Sequence, residues 1–165
     1  MRTLCCLLAA ALIAASPAQA RPKHVEWKAW NDGLKAADHS GRYVLVDVYT
    51  DWCGWCRTMD DQVYSNADVA SYLAGHFVPV KLNAESGELV TWEGRNSSAR
   101  TLASEFHVRG FPTTIFLTSK GEHMVNVPGF VPADRFLLLL RFIAEGHAEG
   151  GESFDDFVSH AKEPR

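Results

Sequence analysis

The chain has 165 residues, with 16 basic and 20 acidic side chains, a formal net charge of −4 and 47% hydrophobic residues. That length suits one domain. The acidic balance argues against nucleic acid or an anionic membrane surface as partner, and after residue 20 no apolar run is long enough to span a bilayer.

The first 20 residues carry Arg2 as a short positive start, an apolar stretch from Leu4 to Ala15, and the small-x-small site Ala18-Gln19-Ala20. This is the pattern of a cleaved secretory signal peptide. Cys5 and Cys6 fall within it and leave with it. The mature chain, 21–165, keeps 15 basic against 20 acidic residues and can bury a core without staples. Its expected location is the periplasm or the extracellular space, with no membrane insertion after cleavage.

Residues 21–25 read as a tail or a short edge strand. Trp27, Trp30, Leu34 and Ala37 recur at helical spacing and predict a helix over 26–39, ended by Ser40-Gly41. Tyr43–Tyr49 is a near-continuous apolar run carrying one acid, Asp47. Its lack of alternation predicts a central strand covered on both faces. A helix from Cys53 to about Tyr64 follows. Ser65-Asn66-Ala67-Asp68 reads as a fresh start with Ser65 as the cap, so this helix is broken or doubled before ending near Gly75. Phe77–Leu82 is a strand, and Pro79 within it points to an edge or a strand end. Residues 83–97 lack a period and read as a long loop. Ser97 or Ser98 caps a helix to about His107. Thr113–Leu117 and His123–Val127 form a hairpin around the turn 119–122. Pro132 suits a first helical residue, and Phe136–Ile143 is the most apolar helix. Residues 152–161 hold a short terminal helix. The order predicts one layered α/β domain in which helix-linked strands pair in parallel and the last hairpin adds an antiparallel strand.

Once the leader is removed, Cys53 and Cys56 are the two cysteines left. They close too small a loop to add much stability, which leaves redox chemistry or metal binding. The strand 43–49 delivers both to the first turn of a helix. Unpaired N–H groups and the helix dipole favour an anion there, so a thiolate is stabilised and the thiol is acidified. Cys53, at the helix start, is expected to be the more exposed sulfur and the nucleophile. Cys56, one turn on, is expected to resolve the mixed disulfide. A zinc site needs four ligands, and neither a second CxxC nor a close histidine pair is present, so no metal site is assigned. A soft ion such as Cu(I) held by the two thiolates is the alternative.

Asp-Trp-Cys-Gly-Trp-Cys-Arg at 51–57 resembles the active-site segment of the thioredoxin superfamily. Val108-Arg109-Gly110-Phe111-Pro112-Thr113 resembles the segment that carries its cis-proline. Asp47, six residues before Cys53, matches the family's buried acid, and Gly129 also fits. Within the superfamily the chain resembles exported members such as the C-terminal domain of the thiol:disulfide interchange protein DsbD, which share the broken helix after CxxC. It departs from thioredoxin in Gly-Trp between the cysteines, in Arg57 for lysine, and in the longer loop 83–97.

The resemblance implies a thioredoxin fold over 21–146, a central mixed sheet with helices on both faces; Gly146, Gly150 and Gly151 loosen the backbone after it, so 147–165 is expected to be a flexible C-terminal tail with a short helix. It implies a thiol–disulfide oxidoreductase with a redox-active Cys53–Cys56 disulfide and no other cofactor. The reducing direction is expected, with an oxidase or isomerase as alternative. Partners are disulfide-bearing proteins and a membrane electron donor. Asp47 is either a proton acceptor for Cys56 or a hydrogen-bonded core acid. Asp60 and Arg57 either tune the thiols or sit solvated. Trp52 is expected to pack beneath the active-site loop, and Trp55 to be exposed for partner contact. Pro112 is expected in the cis form facing the cysteines, with the Phe111 backbone free to pair with a substrate segment.

Overall fold

The computed structural model describes residues 24–161. The segment 1–20, with Cys5 and Cys6, lies outside them. Strand β1 (Tyr43–Tyr49) sets the layering. Successive strand residues point to opposite faces, and here both faces are covered. Val44, Val46 and Val48 join one core cluster with Trp30, Leu102 and Phe106. Leu45 joins the other, with Met59, Phe116 and Phe136. Asp47 shares the face of Leu45, so an acid occupies a core position.

Around β1 the chain runs α1 (Trp30–Ser40), α2 (Gly54–Met59) with a π-helical turn at Asp60–Tyr64, α3 (Ala67–His76), β2 (Phe77–Asn83), β3 (Leu89–Trp92), β4 (Arg95–Ser98), α4 (Ala99–Glu105), β5 (Thr113–Leu117), β6 (His123–Pro128), α5 (Ala133–Ala144) and α6 (Phe154–Ala161). The main sheet has the order β2-β1-β5-β6. β1 and β2 are parallel, and the β1–β5 and β5–β6 pairs are antiparallel. α1 and α4 cover one face of this mixed sheet, and α2, α3, α5 and α6 cover the other.

The parallel pairing expected across α4 does not occur. α4 has seven residues, a rise of about 10 Å, too short to carry the chain back along β2. β5 therefore enters the sheet at the end where β2 left it and runs antiparallel to β1. Pro79 lies on the edge strand as expected. Its carbonyl accepts from Lys28 N–H at 3.0 Å, and Lys81 N–H donates to the Lys28 carbonyl at 3.1 Å. Residue 79 thus faces outward, where β1 needs no donor from it.

The same two hydrogen bonds explain why the first helix starts at Trp30 and not at 26. Residues before it run extended beside β2, and Trp27 turns onto Tyr64 at 4.8 Å, on the face opposite Trp30. α1 lies close against β2, and a side-chain carbon at Gly33 would collide with Val80.

Residues 83–97 are not a plain loop. β3 and β4 form a separate two-stranded hairpin, turned through Glu93 (φ 49°) and Gly94 (φ 73°), the backbone of a tight hairpin turn. Val90 enters the core, and Trp30 Nε1 donates to the Thr91 carbonyl at 2.9 Å. The cap of α3 is Asn66, whose Oδ1 accepts from Asp68 and Val69 N–H, while Ser65 Oγ donates back to the Asp61 carbonyl. Ser98 caps α4, accepting from Thr101 N–H at 3.1 Å. Pro132 stands at the N-cap of α5, one residue before the helix. The expected flexible tail is packed over 154–161: α6 docks on α5, with Phe157 and Val158 buried in the same core cluster and the Phe157 ring 5.6 Å from that of Phe142.

Candidate active site

Four chain segments meet at one end of the sheet. β1 and β2 are parallel and finish there, β5 begins there, and β6 finishes there. The segment after β1 carries Cys53, the segment before β5 carries Pro112, and the segment after β6 carries Gly129. Val48 opposite Thr113 places Pro112 beside the chain entering Cys53. The Phe111–Pro112 bond is cis, and Gly129 N–H donates to the Pro112 carbonyl at 2.8 Å. The Phe111 backbone has no hydrogen-bond partner among the described residues.

Cys53 is the N-cap of α2 and is joined to Cys56 in a disulfide. Its Sγ accepts from Cys56 N–H at 3.0 Å, the helix-terminal donor that would stabilise a thiolate at that atom. Contrary to expectation, Cys53 is no more exposed than Cys56. Both are 4% exposed, because the closed ring folds Cys53 Sγ in over the helix start. Arg57 is exposed, donates to the Asp51 carbonyl at 3.3 Å, and lines the same cleft as the two cysteines.

Cys53, Cys56, Tyr49, Asp60 and Lys81 line one cleft of about 420 Å³. Its floor is an ion network. Lys81 Nζ lies 2.7 Å from Asp47 Oδ2 and 2.7 Å from Asp60 Oδ1. The rings of Trp27, Tyr49 and Tyr64 stand 4.8, 5.0 and 5.8 Å from the same ammonium, within cation–π range. Tyr64 donates to Asp47 Oδ1 at 3.4 Å. Asp47 is 1% exposed. Burial drives its carboxyl above the usual carboxylate range, against the opposing pull of Lys81. Burial also lowers Lys81, but Asp47 and Asp60 together outweigh it and hold the ammonium above the ordinary lysine value. Burial, and then the charge of Asp47, push the Tyr64 hydroxyl well up. The expected acids Asp47 and Asp60 are thus brought together, through a lysine the sequence reading did not single out. No local pattern marks it, since it is the parallel register of the folded sheet that pairs residue 47 with residue 81.

The rim is aromatic. Trp52 does not pack beneath the loop. It is 66% exposed, its Nε1 donates to Glu85 Oε1 at 3.0 Å, and its ring stands edge-on to Phe111 at 6.0 Å. Glu85 is held in turn, with its N–H on Asn83 Oδ1 at 2.9 Å and its carbonyl accepting from Arg100 at 2.7 Å. Trp55 is 61% exposed, as expected, and its ring lies 5.6 Å from Phe130. Phe130 and Glu85 were not foreseen.

A dithiol/disulfide pair at a helix start, a buried acid beneath it and a proline segment beside it, on a mixed sheet covered by helices, define a thioredoxin-fold redox module. The model of the family described as "Thioredoxin-like domain" matches residues 30–144, and the chain belongs to that family. It is 36% identical over 112 residues to the thiol:disulfide interchange protein DsbD of Ralstonia nicotianae, covering 67% of this chain and 17% of that protein. The chain therefore spans about one sixth of the length of the curated relatives it matches. Among solved structures, a thioredoxin from Thermus thermophilus superposes with a TM-score of 0.63 at 26% identity, over 86% of this chain and 99% of that one. A putative disulphide-isomerase from Bacteroides thetaiotaomicron gives 0.60 at 27%, over 82% and 100%.

Proposed function

We propose that this chain is an exported thiol–disulfide oxidoreductase that reduces cystines in protein substrates, with Cys53 as nucleophile and Cys56 as resolving thiol. The observation that carries the reading is the Cys53–Cys56 pair at the start of α2, with a backbone N–H on Cys53 Sγ. In the reduced protein the Cys53 thiolate attacks one substrate sulfur. A Cys53–substrate disulfide forms, and the other substrate sulfur leaves as a thiolate. Cys56, deprotonated, then attacks Cys53 Sγ, forms the internal disulfide and expels the second substrate thiolate. Two electrons pass from the dithiol to the substrate, and a dithiol donor must return them for another cycle.

Asp47 is the proton acceptor for Cys56 in this scheme. Burial raises its carboxyl above the usual carboxylate range, which suits it to take up a proton, and Lys81 and Asp60 link it to the cleft that Cys56 lines. With Asp47 ionised, Asp47, Asp51 and Asp60 stand against Lys81 and Arg57 in and beneath the cleft, one net negative charge. That charge disfavours thiolates nearby, and a pair whose reduced form is less stabilised is the better reductant, which supports the reducing direction. The reading uses no metal and no cofactor beyond the two cysteines. Trp52, Trp55, Phe111 and Pro112 form the substrate face, where an extended segment can pair with the Phe111 backbone. The pattern at residues 1–20 supports export. The kinship with DsbD supports a membrane-bound dithiol donor upstream.

The test has two arms. The reduced chain is expected to reduce insulin disulfides with turnover, and equilibration with glutathione is expected to give a potential on the thioredoxin side of the known range. Stoichiometric Cu(I) retention with no reductase turnover would overturn the reading.

A further inference from the structure

Asp47 has a donor on each of its two oxygens. Lys81 Nζ lies 2.7 Å from Oδ2, and the Tyr64 hydroxyl donates to Oδ1 at 3.4 Å. A carboxylate that takes up a proton needs an oxygen whose donor can give way. The two donors differ in this. An ammonium carries three hydrogens and no acceptor, whereas a phenol can donate or accept. Lys81 is also held from elsewhere, by Asp60 at 2.7 Å and by the rings of Trp27 and Tyr49. Tyr64 can turn its hydrogen, because a second partner stands beside it. Thr114 lies opposite Asp47 in the β1–β5 pairing, is buried, and its hydroxyl is hydrogen-bonded to that of Tyr64. Burial and the charge of Asp47 hold the Tyr64 hydroxyl well above the usual tyrosine range, so it keeps its hydrogen throughout.

Resting on the oxidoreductase reading, we propose that Asp47 holds the Cys56 proton on Oδ1, and that Tyr64 is the positioning residue that makes room for it by reversing its own hydrogen bond. When the Cys56 S–H bond breaks, an O–H bond forms at Oδ1 and the sulfur keeps the electron pair. The new carboxyl O–H donates to the Tyr64 oxygen, and the Tyr64 hydrogen turns to Thr114. No ion pair is broken, since Lys81 stays on Oδ2. The charged and titratable groups that face Asp47 are Lys81 of β2 and, from the turn after α2, Asp60 and Tyr64, while β5 supplies the neutral Thr114. The Tyr64 ring is fixed edge-on by Trp27 at 4.8 Å and by Phe136 at 5.7 Å, so its hydroxyl stays in place while the hydrogen turns. That hydroxyl gives the ionised acid a charge-assisted bond and the protonated acid a neutral one, so its removal favours the protonated form.

The experiment follows decay of the mixed disulfide between Cys53 and a cystine peptide, by stopped flow across pH, in the full-length mature chain. Tyr64→Phe keeps the ring and its packing. It is expected to slow the decay about fivefold at pH 7 and to move the inflection up by about half a pH unit. In the Asp47→Asn background the same change is expected to alter the rate by less than about twofold, because the two residues act as one unit. Thr114→Val, which removes the group toward which Tyr64 turns, is expected to slow the decay about threefold, and Thr114→Ser, which keeps a hydroxyl, to restore it. An unmoved inflection in Tyr64→Phe, equal slowing with and without Asp47, or equal rates in the two Thr114 variants overturns this inference and leaves the oxidoreductase reading standing. A native chain that forms no mixed disulfide on Cys53 overturns both.

Discussion

The floor and the rim of the cleft are built from opposite materials. Beneath the disulfide, Asp47 is 1% exposed and tied to Lys81, which Asp60 and three aromatic rings also surround. Around the disulfide, Trp52 and Trp55 stand mostly in solvent. The floor responds to protons, because burying a charge is costly and any change in it moves a pKa. The rim responds to neighbours, because exposed aromatic surface gains only when something covers it. Reactivity and partner choice are thus carried by different residues and should yield to mutation separately.

The largest expected effect lies at the boundary between them. Cys56→Ser should lower turnover about a thousandfold or more and leave a stable adduct on Cys53, seen as a substrate-sized mass increment that reductant removes. Release of substrate from this variant would mean that the resolving thiol comes from elsewhere. On the floor, Lys81→Met should destabilise the fold by about 3 kcal/mol at pH 7 and by less at pH 5. The direction follows from Asp47, whose folded pKa lies above the unfolded value. The folded state then holds more protons, so stability falls as pH climbs from the ordinary carboxylate range through the raised value. Removing the ammonium that opposes this shift steepens the fall. Urea titrations at the two pH values measure it, and an equal loss at both would break the link between floor and proton.

Asp47→Asn should flatten that fall and slow decay of the mixed disulfide about a hundredfold. Stopped-flow measurements across pH should show the step losing its inflection. An unchanged profile would reduce Asp47 to a core acid. The smallest effect belongs to the rim. Glu85→Ala frees the Trp52 indole and should raise KM for a protein disulfide about threefold, the scale of one hydrogen bond, with the melting temperature unmoved. Glu85→Gln keeps an acceptor and should restore KM. A change in pH profile instead would erase the distinction between the two regions.

Local pattern was enough for the parts of the molecule that depend on local pattern. The apolar run Tyr43–Tyr49, the edge position of Pro79 and a serine cap at 97 or 98 follow from neighbours in sequence, and the cis Phe111–Pro112 bond from the resemblance of its segment. What escaped depends on distant strands. Lys81 is an unremarked lysine until parallel register sets it against Asp47. Trp27 and Trp30 share helical spacing, yet the hydrogen bonds of Lys28 to β2 divert the first of them to the opposite face. The β3–β4 hairpin was hidden because β4, Arg-Asn-Ser-Ser, has no apolar residue, and because its turn uses Glu93 at a positive φ that glutamate seldom adopts. Trp52 looked like a packing residue. A carboxylate from the far side of β2 holds it out in the solvent.

The hydrogen bonds between Lys28 and β2 also decide how this sheet can grow. One margin is already occupied, by a bridging backbone and a proline that lacks a donor. The other, β6, is paired on one side among the described residues. An incoming strand, from another copy or from an unfolded chain, therefore meets more unpaired backbone along β6 than beside Lys28 and Pro79 on β2.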